Sequence, residues 1–141
     1  MLGCGFAGDL YVAESDPRAV VERFWRLMEA RAWGAARALL APVAEWPQTN
    51  ERFPSADAFM AMNEAHPAPN WHIASVSVQA AEREIVAEAL VTSDEGADYA
   101  VGFYRVHGGL MTRAREYWIE RRAEPAPAWR AEWTEPIETA D

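Results

Sequence analysis

Glu116 is the residue of this chain best suited to moving a proton. It stands in Arg113-Ala114-Arg115-Glu116-Tyr117-Trp118, the second arm of a hairpin. Strand alternation puts Ala114, Glu116 and Trp118 on one face and Arg113, Arg115 and Tyr117 on the other. The first face is expected to turn inward, because the two arginines of the second would be costly to bury. A carboxyl in apolar surroundings keeps its proton to higher pH, toward the range where general acid–base chemistry works. The alternative is an ion pair between Glu116 and an arginine such as Arg105 across the hairpin, since structural pairs also perturb carboxylates. Both readings stay open at this level.

The other reactive side chains point to less. His107 sits in a turn and reads as solvated, and His66 ends a helix, where a cation suits the dipole. His72 is a second candidate base. The histidines share no element, and no HxH or HExxH spacing occurs, so no metal is expected. No Gly-x-Ser-x-Gly elbow is present, and Ser55, Ser75 and Ser77 read as cap and strand residues. All thirteen basic residues are arginine. The lack of lysine excludes Schiff-base, P-loop and kinase-type chemistry. Gly3-Cys4-Gly5-Phe6-Ala7-Gly8 has no strand before it, so a dinucleotide is not expected, nor any other cofactor. A formal net charge of −9 argues against a nucleic-acid partner. Cys4 is the single cysteine, which fits a reducing, cytoplasmic setting. Met1-Leu2-Gly3-Cys4 lacks the apolar stretch of a lipoprotein signal. No apolar run approaches the roughly 18–20 residues of a membrane helix, so no membrane partner is expected.

The elements that must position Glu116 are legible in outline. Residues 1–14 read as a tail, 15–123 as one domain and 124–141 as an acidic tail whose tryptophans pack part of it back. Ser15 or Asp16 before Pro17 marks a helix start, and Val20, Val21, Phe24, Trp25, Leu27 and Met28 give it one broad apolar face. A short helix is predicted over Trp33 to Leu40, ended by Ala41-Pro42, with an extended piece at Ala44-Glu45-Trp46-Pro47. Ser55 caps a third helix that carries Phe59 and Asn63 and breaks at His66-Pro67. Four strands follow, Trp71 to Gln79, Ile85 to Thr92, Tyr99 to His107 and Leu110 to Arg121, joined by short polar turns and by Gly108-Gly109. Helices first and an antiparallel meander afterwards predict an α+β domain. A curved sheet around the helices would leave a pocket. Seven tryptophans suit such a pocket, although Trp25, Trp71 and Trp129 read as core or interface.

This order, with Val43-Ala44-Glu45-Trp46-Pro47, Ser55-Ala56-Asp57-Ala58-Phe59 and Phe103-Tyr104-Arg105-Val106-His107-Gly108-Gly109-Leu110 leading to Glu116-Tyr117-Trp118, resembles the NTF2-like superfamily over about residues 16–121. Within it the chain looks most like SnoaL-like or ketosteroid-isomerase-like proteins. The resemblance implies a cone-shaped α+β barrel lined by Phe24, Trp46, Phe59, Asn63 and Tyr104, into which strand alternation also turns Trp118 and the candidate carboxylate Glu116. Ketosteroid isomerase, a worked case of pKa tuning, pairs a carboxylate base with a tyrosine and a protonated aspartic acid. The corresponding positions here hold Trp46, Phe24 and Ala100, none of which can do that chemistry. The resemblance therefore implies a small, mostly apolar ligand and proton transfer of isomerase, lyase or cyclase type through Glu116. The alternative is a non-catalytic binding or interaction module of the same fold. A homodimer is expected through the convex sheet face carrying Tyr99, Val101 and Phe103.

Overall fold

Asp16 opens the first helix, α1 (Pro17–Glu29), by accepting a hydrogen bond from the Arg18 N–H at 3.1 Å. Pro17 follows in the first turn, where its missing N–H costs nothing. In this computed structural model, residues 16–68, 70–122 and 124–137 are described. The expected tail at 1–14 and the alternative cap Ser15 lie outside them. α1 buries Val20, Val21, Phe24, Trp25 and Met28, the face its 3.6-residue spacing builds.

The second helix, α2, is shorter than its sequence suggests, Trp33–Arg37 rather than through Leu40. Leu40 instead starts β1 (Leu40–Trp46). Pro42 explains the difference: it disfavours a helical Ala41 and cannot donate to a ladder. The pairing of β1 with its neighbour accordingly shifts register between Leu40 and Val43. A short strand that the sequence did not announce, β2 (Glu51–Phe53), pairs antiparallel with the end of β1. Ser55 then caps α3 (Ala56–Glu64), its hydroxyl accepting from the Ala58 N–H at 3.1 Å.

The meander comprises β3 (His72–Ala80), β4 (Ile85–Ser93), β5 (Gly96–His107) and β6 (Leu110–Glu120). Gly108 and Gly109 join the last two with φ of 59° and 78°, the left-handed pair that a two-residue hairpin loop requires. The six strands form one sheet in the order β2-β1-β6-β5-β4-β3. All neighbours run antiparallel except β1 and β6, which are parallel. The sheet is curved and unclosed. The middle of its inner face is lined by Ala87, Ala89 and Ala100, all fully buried. These small side chains leave room for the bulky Phe24 and Trp25 of α1, which packs against β3, β4 and β5.

Beyond β6 the chain forms a 3₁₀ turn at Ala128–Trp133. Its Trp129 and Trp133 are 74% and 73% exposed, so they do not pack back onto the domain as their apolar character suggested. Pro125 and Pro127 hold the connecting segment extended and away from the sheet. No helix among the described residues is long and apolar enough to cross a membrane.

Candidate functional site

Between α1, α3 and the inner face of the sheet lies a cavity of ≈ 280 Å³. Phe24 from α1, Phe59 and Asn63 from α3, Trp46 from β1 and Glu116 and Trp118 from β6 all line it. The rings form a continuous wall: Phe24 stacks on Phe59 at 6.5 Å, and Trp46 lies 6.0 Å from Trp118. Asn63 uses its amide nitrogen locally, donating to the Phe59 carbonyl at 2.9 Å. Tyr104 departs from the expected set. It is fully buried and does not line the cavity; its ring stands behind Glu116.

Glu116 is 2% exposed. The Tyr104 hydroxyl donates to its Oε1 at 3.1 Å, and the Trp118 indole N–H donates to its Oε2 at 3.2 Å. No arginine reaches it among the described residues. Arg105 pairs with Glu84 at 3.8 Å, Arg115 also faces Glu84, and Arg113 holds both oxygens of Glu45 at 2.8 Å. The alternative ion pair with Arg105 is therefore replaced by two neutral donors. Burial pushes the Glu116 carboxyl up to about 7, against the opposing pull of those two hydrogen bonds. Burial first, and then the neighbouring Glu116, hold the Tyr104 hydroxyl well above its ordinary range, so Tyr104 keeps its proton and remains a donor.

Two further tryptophans and two ionisable groups border the cavity. Trp25 and Trp71, assigned by their pattern to core or interface, are buried in the core as expected and also line the cavity. Arg31 lies 3.5 Å over the Trp71 ring and donates to the Trp71 carbonyl, which fixes that residue in place. The indole N–H of Trp46 is buried and has no hydrogen-bond partner among the described residues. His66 and Asp98 add ionisable groups to the lining, beside the hydroxyls of Thr92 and Ser93. Asp98 was overlooked because β5 was expected to begin at Tyr99, which left Asp98 in a turn. In the structure it is paired in the ladder opposite Glu120. Burial and then Glu120 raise its carboxyl, while His66 opposes the rise. Of the remaining histidines, His72 faces Glu29 at 3.2 Å and does not line the cavity.

The sequence matches no protein-family model and no curated protein. The structure does have solved relatives. A candidate ketosteroid isomerase from Kribbella flavida superposes with a TM-score of 0.77 at 27% identity, over 87% of this chain and 90% of that one. An NTF-2-like protein of unknown function from Burkholderia xenovorans gives 0.69 at 18% identity, over 86% and 94%. A candidate SnoaL-like polyketide cyclase from Shewanella putrefaciens gives 0.60 at 9% identity, over 73% and 79%. The chain has the NTF2-like fold.

Within this NTF2-like domain, Phe24, Trp46 and Ala100 still occupy inward positions without the isomerase's chemical groups. The one buried carboxylate among the described residues comes instead from β6, and local sequence explains how it is held. Glu116 pairs with Gly102 across the β5–β6 ladder. The Tyr104 ring lies over Gly102, where any Cβ would overlap it. On the other side, Pro47 has no N–H and ends the β1 ladder. The Gln48 amide takes over there, with its nitrogen toward the Glu116 carbonyl and its oxygen toward the Trp118 N–H, both at 2.9 Å. Gln48→Ala is expected to lose both bonds, costing about 1–2 kcal/mol. Amide exchange at Trp118 should speed up in that variant while exchange in β4 does not. Equal protection in both proteins would mean that Gln48 does not clamp β6.

Proposed function

We propose that the cavity binds a small, mostly apolar molecule and that Glu116 exchanges a proton with it, in chemistry of isomerase, lyase or cyclase type. One observation carries this reading. A carboxyl 2% exposed, with no cation beside it, stands in an aromatic wall and is poised to change protonation near neutral pH. The solved neighbours include proteins described as an isomerase and a cyclase, which supports the class of reaction. A nitrobenzisoxazole tests it, because its ring opens when a base removes its one acidic proton. The expected rate rises with pH through a midpoint of about 7, as the carboxylate form accumulates. Glu116→Gln should lower the rate by on the order of 10²-fold while the probe still saturates the protein. An unchanged rate in the variant would remove Glu116 from the chemistry.

A second reading has an observation of its own. Both Glu116 oxygens already hold a hydrogen bond, which suits a structural role in a non-catalytic binding module. Saturation without any base-dependent rate would select it. Our reading also includes a homodimer through the outer sheet face, where Tyr99, Val101 and Phe103 stand and Tyr117 meets Phe103 edge-on at 6.1 Å. A cytoplasmic setting, taken from the single Cys4, belongs to the same reading.

A further inference from the structure

The charges around the cavity are one-sided. Of thirteen arginines in the chain, none lines it. Its ionisable lining consists of Glu116, Asp98 and His66. Asp98, which lines the cavity, stands opposite Glu120 in the β5–β6 ladder; Glu120 is exposed and lies outside the lining. Two carboxylates facing each other across a strand pair repel, and no arginine or histidine forms an ion pair with either among the described residues. Six aromatic rings, Phe24, Trp25, Trp46, Phe59, Trp71 and Trp118, dominate the rest of the wall. Aromatic faces attract cations, and a protonated amine is held best where rings and a carboxylate act together. An anionic ligand would meet repulsion from these carboxylates that the neutral Trp46 indole N–H offsets only in part. A bare divalent cation would need more oxygen ligands than the two carboxylates offer. No group of three or more candidate metal ligands occurs among the described residues.

We propose that the cavity takes a small aromatic or aliphatic molecule bearing a protonated amine, with the ammonium at Asp98, beside the exposed Glu120, and the apolar body along the aromatic wall toward Glu116. This rests on the reading that the cavity binds a small molecule. It adds the charge of that molecule and the end at which the charge sits. The ammonium relieves the Asp98–Glu120 repulsion, which a neutral hydroxyl group would leave in place. Amine binding weakens as the solution is made acidic, because Asp98, whose carboxyl is raised by burial and then by Glu120, takes up a proton and loses the charge that holds the ammonium.

Three probes on one skeleton separate the possibilities: phenethylamine, phenethyl alcohol and phenylacetate, titrated at neutral pH while the tryptophan indole N–H resonances are followed by NMR. The amine is expected to bind about tenfold more tightly than the alcohol, with phenylacetate weakest. In Asp98→Asn, and again in Glu120→Gln, the margin between amine and alcohol is expected to shrink several-fold. An alcohol that binds as tightly as the amine overturns the amine inference and leaves the pocket reading standing. A margin that survives in the Asp98→Asn/Glu120→Gln double variant overturns it as well. If none of the three probes moves the Trp46 or Trp118 resonance, the pocket reading and the amine inference fail together.

Discussion

Replacing Glu116 with glutamine is expected to stabilise this protein at pH 8 and to flatten its stability between pH 5 and pH 8. The sign follows from linkage. The folded Glu116 carboxyl is raised to about 7 from an ordinary value of 4.5. Between those values the unfolded chain releases the proton that the folded chain keeps. The native state then binds more protons, so stability falls as pH rises. Above about 7 the folded group is ionised too, and the loss is complete. The shift corresponds to about 3 kcal/mol in all. Glutamine carries no such charge, and its amide meets the same neighbours: its oxygen can accept from the Trp118 N–H, and its nitrogen can donate to the Tyr104 hydroxyl oxygen. Urea denaturation at a series of pH values checks this. The natural protein should lose stability across the window, and Glu116→Gln should remove that part of the slope, leaving what Asp98 (raised) and Glu45 (lowered) contribute with opposite signs. Parallel curves for the two proteins would show that Glu116 titrates as an ordinary surface carboxylate.

The second large effect is expected at a residue with no side chain. Gly102 lies on the inner face of β5, and a Cβ there would overlap the Tyr104 ring at its hydroxyl, Cζ and Cε2. The cause is space alone, because no left-handed backbone angle occurs at Gly102. Tyr104 is fully buried and cannot swing outward, so the ring must push into its neighbours. Overpacking of this kind costs about 1–3 kcal/mol. The displaced hydroxyl also withdraws from Glu116, which leaves that carboxyl with one donor and moves its titration higher, since the Tyr104 bond lowers it. Gly102→Ala should therefore melt earlier and titrate later. The same alanine in a Tyr104→Leu background should cost far less, and this double-mutant cycle isolates the contact. Equal costs in both backgrounds would place the ring elsewhere.

What could be read in the sequence was local. Asp16 and Ser55 mark helix starts because a cap bonds only to its own first turn. Gly108-Gly109 marks the hairpin because few residues other than glycine accept two successive positive φ angles. The side chains on the inner face of β6 followed from strand alternation, which needs no knowledge of the partner strand. The curved sheet with its helices followed from the order of these pieces.

Tertiary structure decided everything that depends on distant pairing. β2 is three residues long and exists by pairing with β1. Leu40 leaves the helix because it pairs with Met111, seventy-one positions away. Trp25 and Trp71 became cavity walls because α1 and the start of β3 close around an empty volume, and residue type cannot distinguish a filled core from a lined hollow. Asp98 joined the cavity through its place opposite Glu120. The nature of Glu116 turned on the same kind of contact. Its sequence neighbours are arginines, yet alternation and the sheet send those to the outer face. Tyr104 and Trp118 take their place, and only this exchange of charged for neutral partners leaves the carboxyl poised near neutrality, because the energy of a buried charge is set by the groups around it in space.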